Sequence, residues 1–173
     1  MEGRQAPYNM SAEQAVLGCM ISNSKALSEV FTEIKADDFY TEAHRLIFEA
    51  IKSLFDTGRA VDIVTVSGAL GSRIEMAGGL NYLSRLAMSV VTTENLAQHI
   101  DIIKKTSNMR KLIEAADQIS RMCYEAKEDA EVILDRAEQK VFEIAESRAN
   151  MGFAHIRDVL VNSIDNVEKL REA

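Results

Sequence analysis

Residue types able to do chemistry are few in this chain, and they stand far apart. His44, His99 and His155 never form the His-x-x-x-His pair that puts two imidazoles on one helical face for a metal. No Glu-x-x-His accompanies them, so a di-iron helical bundle would lack its ligands. A phosphate-cradling loop needs glycines, to bring backbone N–H groups close to the anion, followed by Gly-Lys-Ser or Gly-Lys-Thr. None of the eight glycines precedes a lysine. A Gly-x-Ser-x-Gly elbow and a Cys-x-x-Cys motif are also missing. Cys19 and Cys123 both sit in apolar helical patterns and read as reduced core thiols rather than as a disulfide or metal pair. His44, beside Arg45 at the start of a helical pattern, reads as a hydrogen-bonding partner of a neighbouring loop. No catalytic, cofactor-binding or metal-ligating residue is expected in this chain.

Charge narrows the partners. Twenty basic residues are interleaved with twenty-seven acidic ones, for a formal charge of −7. Phosphate binding depends on clustered Lys and Arg, so direct nucleic-acid binding by this chain is not expected. Lys104-Lys105 and Arg110-Lys111, the densest basic spots, read as solvated helix faces. No apolar run approaches the roughly 18 to 20 residues a bilayer helix needs, and the N-terminus lacks a basic-then-apolar leader pattern, so a cytoplasmic location is expected. With 47% hydrophobic residues over 173 positions, the chain can bury a core and still have apolar surface to offer another protein.

The elements that would position any site are helical almost throughout, and an all-α fold is expected. Ser11 and Gln14 have the spacing of a reciprocal cap ahead of the apolar run Ala15, Val16, Leu17, Met20 and Ile21. A short helix follows with Ala26, Leu27, Val30, Phe31 and Ile34. Thr41 caps a stronger one carrying Leu46, Ile47, Ala50, Ile51, Leu54 and Phe55, which Gly58 stops. The β-branched run Val61–Val66 could be a strand. A helix beginning at Asp62 fits better, because an acidic cap precedes Ser67, Ala69 and Leu70 and no partner strand exists. Asp37-Asp38 and Thr92-Thr93 read as caps. Gly78-Gly79 opens a helix with Leu83 and Leu86 inside, while Tyr82 fits either the core or a partner contact.

Beyond this compact bundle, assigned to 1–93, the character changes. Residues 94–126 hold neither glycine nor proline, enough for a rod of roughly 45 to 50 Å. Met109, Leu112, Ala116, Ile119 and Cys123 alternate steps of three and four, as do Leu134, Ala137, Val141 and Ile144. Two such rods joined through Lys127-Glu128-Asp129 predict an antiparallel hairpin over 94–149. Ile113, Met122, Ile133 and Phe142 fall off that seam, so the hairpin needs a second surface, either the bundle or another copy of the chain. A last amphipathic helix, in 150–173, aligns Ile156, Val159, Leu160, Ile164, Val167 and Leu170.

Five phrases in this order carry a family likeness: Ser11-Ala12-Glu13-Gln14-Ala15-Val16-Leu17-Gly18, Asp37-Asp38-Phe39-Tyr40 with His44-Arg45-Leu46-Ile47-Phe48, Val61-Asp62-Ile63-Val64-Thr65-Val66, Gly78-Gly79-Leu80-Asn81-Tyr82-Leu83, and Thr92-Thr93-Glu94-Asn95. Together they resemble the N-terminal domain of the bacterial replicative DNA helicase of the DnaB type. The resemblance implies a non-catalytic collar domain of a hexameric ring, a trimer of dimers. ATP and magnesium would be used by a motor domain C-terminal to this segment. It implies pairing with a second copy through Met109, Leu112, Ile113, Ala116, Ile119, Leu134, Ala137, Val141, Phe142 and Ile144. It further implies docking of the primase helicase-binding domain, with Tyr82 as the candidate contact, and docking of Ile156–Leu170 on the ATPase domain of a neighbouring subunit. Without that likeness, a helical adaptor unrelated to helicases fits composition and periodicity equally well, and a metal- or nucleotide-dependent helical enzyme fits them less well.

Overall fold

The computed structural model describes residues 3–89 and 94–146. Thr92, Thr93 and the amphipathic segment from Ile156 to Leu170 lie outside the described residues. All regular structure among the described residues is helical, as the periodicity predicts. Two compact units are present, Met1–Arg110 and Lys111 onward, and the division falls inside a helix.

In the first unit, α1 (Met10–Ser22) is buried over nearly its whole length, from Ala12 through Ile21. Its N-cap is Asn9, whose side chain accepts from the Ala12 N–H, and not Ser11. The reciprocal Ser11–Gln14 cap does not form, because the helix begins two residues earlier and Gln14 is drawn to a tyrosine instead. α2 (Ala26–Glu33) buries Ala26, Leu27 and Val30. A turn of 3-10 helix (Ala36–Asp38) leads into α3 (Glu42–Asp56). The Thr41 hydroxyl accepts from His44 N–H at 3.2 Å, as the sequence predicts. Gly58, at φ +67°, lets Arg59 N–H close back on the Leu54 carbonyl at 2.9 Å and ends the helix.

Val61–Val66 is helical rather than extended: α4 (Ile63–Leu70) starts on Asp62, whose carboxylate accepts from Thr65 N–H at 2.8 Å. That bond holds the Asp62 carboxyl below the usual carboxylate range. α5 (Gly79–Ser89) buries Leu83 and Leu86. α6 (Leu96–Glu125) contributes Leu96, Ile100 and Ile103, stepping by four and three, to one continuous core with α1–α5. Phe39, Phe48 and Phe31 form the aromatic centre, with Phe48 5.2 Å from Phe39 and 5.3 Å from Phe31 between ring centroids.

The second unit is a helical hairpin. Ala126, in the left-handed region at φ 47°, ends α6, and α7 occupies residues 130–146. Lys140 Nζ donates to Gln118 Oε1 at 2.6 Å and joins the two helices. Arg136 pairs with Glu128 at 2.8 Å beside the bend.

Candidate functional site

Two arrangements stand out, one in each unit. In the first, three helices bring together Glu13 (α1), His44 (α3) and Tyr82 (α5). His44 Nδ1 lies 2.5 Å from Glu13 Oε2, and Nε2 lies 2.6 Å from the Tyr82 hydroxyl. Gln14 Nε2 donates to the same hydroxyl at 3.2 Å, and Tyr40 N–H donates to Glu13 Oε1 at 2.8 Å. Glu13 and His44 are fully buried, whereas Tyr82 is half-buried and reaches the surface. Gln14 donates to the Tyr82 oxygen, and the two imidazole nitrogens of His44 hold that oxygen on one side and the Glu13 carboxylate on the other, so one line joins Gln14, Tyr82, His44 and Glu13. The partner of His44 is therefore a pair of helices and not a neighbouring loop. The available sequence signal was a lone carboxylate inside a buried helix and a lone imidazole at the start of another. Buried ionisable groups of that kind must find each other.

Beside this line, Arg110 donates to the carbonyls of Pro7 (2.8 Å) and Asp38 (2.6 Å) and lies over the Tyr40 ring. Desolvation pulls its guanidinium below the ordinary value, opposed by the Glu13 and Asp38 charges. Arg110 is thus an internal clasp and not a solvated helix face, because both arms of its guanidinium are taken by backbone carbonyls. Lys104 likewise pairs with Glu33, half-buried, while Lys105 pairs with Asp101 in solvent. Asp38 does act as a cap, accepting from Lys35 N–H at 2.9 Å, and also accepts from the Ser107 hydroxyl at 2.6 Å.

The hairpin presents the second arrangement. Its inward stripe is Ala115, Ile119 and Met122 on α6 and Ile133, Ala137, Lys140 and Ile144 on α7, all buried or half-buried. Met122 and Ile133, expected off the seam, lie in it, and Leu112, Leu134 and Val141, expected in it, face solvent. The two stripes share one period, and only the phase of the pairing distinguishes them. Of the residues assigned to self-association, Met109, Leu112, Ile113, Ala116, Leu134, Val141 and Phe142 are exposed, while Ile119, Ala137 and Ile144 are half-buried. Leu134 is 59% and Phe142 64% exposed. Cys123 is exposed too, and only Cys19 is a core thiol, its pKa raised by burial. Cys123 lies off the inward stripe that Ile119 and Met122 mark on α6. Between the helices a cleft of about 450 Å³ is lined by Arg121, Arg136 and Lys140 among others.

Among the described residues no group of His, Cys, Asp and Glu could hold a metal, and no helix is long and apolar enough to cross a membrane. The described residues present a helical bundle with one anchored, half-exposed tyrosine and a hairpin whose apolar flank is exposed among them. The chain belongs to the family of DnaB-like helicase N-terminal domains, whose description matches residues 5–105.

It is 36% identical over 172 residues to the replicative DNA helicase DnaC of Bacillus subtilis (strain 168), covering 98% of this chain and 38% of that protein. It is also 36% identical over 169 residues to the replicative DNA helicase DnaB of Geobacillus stearothermophilus, covering 96% of this chain and 37% of that one. The crystal structure of the N-terminal domain of DnaB helicase from Mycobacterium tuberculosis superposes with a TM-score of 0.76 at 31% identity, covering 80% of this chain and 99% of that one. A DnaB-like replicative helicase, described with its interactions with primase, superposes with a TM-score of 0.67 at 28% identity, covering 79% of this chain and 31% of that one. The chain thus spans 37–38% of the length of the two curated relatives.

Proposed function

We propose that this chain is the collar and docking part of a hexameric, ATP-dependent replicative DNA helicase of the bacterial cytoplasm. In this reading it holds subunits together in pairs, three pairs to a ring, and receives primase at the replication fork. The observation that carries it is the exposed apolar flank of the hairpin, Leu112, Ile113, Leu134, Val141 and Phe142. Fully burying a side chain of this size is worth about 1.5–3 kcal/mol, so pairing two such flanks gives a strong reason to associate. Long stiff helices also suit a ring contact that must keep register while other domains move.

The segment 1–93 serves as the docking bundle, 94–149 as the pairing hairpin and 150–173 as the link, through Ile156, Val159, Leu160, Ile164, Val167 and Leu170, to the ATPase domain of a neighbouring subunit. The primase contact belongs to the Tyr82 face, a reading supported by the primase interactions described for a structural relative. ATP and magnesium are assigned no residue here, since the sequence has no Gly-Lys pair with which to cradle phosphate.

Sedimentation of Val141→Asp and Phe142→Asp tests the pairing. Both variants should keep their helical circular dichroism and shift to monomer, because a buried unpaired charge in the contact is prohibitive. Unchanged assembly in the folded variants would overturn the proposed interface.

A further inference from the structure

We infer that Glu13, His44 and Gly78 are positioning residues for the Tyr82 site, holding its ring ready before a partner arrives. The inference rests on the reading that the Tyr82 face receives primase. A buried carboxylate–imidazole pair is an inefficient way to hold helices together, since apolar side chains of similar volume often serve as well. Here the pair ends on one half-exposed tyrosine. Glu13 has its second oxygen taken by Tyr40 N–H, and Gln14 adds a donor to the Tyr82 oxygen. No buried side-chain nitrogen or oxygen among the described residues is left unpartnered. The hydroxyl end of Tyr82 is thereby fixed.

Its flank is fixed separately. Gly78 adopts φ +97°, and a Cβ there would stand 2.7 Å from Tyr82 Cδ1 and 2.9 Å from Cγ. The ring therefore lies directly on backbone, where any other residue would displace it. On the outer side the Arg85 guanidinium sits over the ring at 5.5 Å, with Leu80 and Met76 exposed on the same segment. The Tyr82 oxygen is held by His44 and Gln14, so the ring and the Arg85 cation are what a partner meets. The matching partner surface is apolar with a carboxylate for Arg85. A side chain already ordered spares the association that ordering penalty.

The test is calorimetric titration of the chain with the helicase-binding domain of primase from Geobacillus stearothermophilus, with thermal melting of each variant alongside. Tyr82→Ala should weaken binding at least about thirtyfold, as loss of an aromatic anchor does. Unchanged affinity in Tyr82→Ala removes both the docking face and the positioning. Tyr82→Phe and His44→Gln should each weaken binding about threefold to tenfold, the factor for one side chain ordered on association. Their combination should lose no more than the worse single variant, because both cut the same line. Additive losses, or wild-type affinity in Tyr82→Phe while Tyr82→Ala fails, overturn the positioning and leave the docking face standing. Should His44→Gln not fold, Glu13→Gln replaces it in the cycle. Gly78→Ala, which acts on the ring and not on the hydroxyl, should weaken binding with His44 and Glu13 intact, and wild-type affinity there would also overturn the proposal.

Discussion

The two units solve the burial problem in opposite ways. Up to Arg110, apolar side chains of α1, α2, α3, α4, α5 and the start of α6 close on one another, and the large ones at the centre, Phe39, Phe48, Ile47, Ile51 and Met20, are almost wholly removed from solvent. In the hairpin, only Ala115 and Ile133 among the described residues are buried, at 7% and 9% exposure, while Leu112, Ile113, Tyr124, Val132, Leu134, Val141 and Phe142 stay exposed. Both units draw on similar residue types and the same helical period. The difference lies in how many neighbours each helix has, since a two-helix hairpin hides one stripe per helix and leaves any second stripe outside. The bundle thus closes a core of its own, and the hairpin leaves an apolar flank exposed among the described residues.

That contrast can be broken or sharpened by substitution. Phe48→Ala, at the aromatic centre, should lower unfolding free energy by about 3–5 kcal/mol in urea titration, the range for truncating a large buried ring. A loss below about 1 kcal/mol would show the bundle to be loosely packed and erase the distinction. Thr41→Ala removes the acceptor for His44 N–H and should cost about 1 kcal/mol, with Thr41→Ser near wild type. Leu134→Ala should fall within about 0.5 kcal/mol at dilution, where the hairpin is alone. At higher concentration the wild-type midpoint should rise and that of the variant should not, as expected when a partner binds only the folded chain. A loss at Leu134 as large as that at Phe48, and independent of concentration, would place that side chain in an internal core.

Local chemistry was the legible part. Thr41, Asp62 and Gly58 act on residues three to five positions away, so short spacing suffices to read them, and the helical period of α3 and α6 follows from residue order alone. Asn9 displaced Ser11 as the first cap because both residue types cap well, and only the packing of α1 decides between them. Glu13, His44 and Tyr82 are separated by 31 and 38 positions, and no local pattern joins them. The hairpin stripes were visible, but periodicity carries no information on which of two stripes meets the other helix. The family likeness, spread over five phrases, named the family and the fold without resolving either of those points.

Cys123 near the end of α6 has a practical corollary. With Cys19 enclosed, the chain carries one reachable thiol, set close to the bend between α6 and α7. A nitroxide or fluorophore coupled through maleimide would mark that spot in the native sequence, with no cysteine added or removed. If two hairpins lie side by side, electron-electron dipolar ranging between such tags would report whether their bends meet or point apart, and so whether the helices of the pair run in the same or opposite directions.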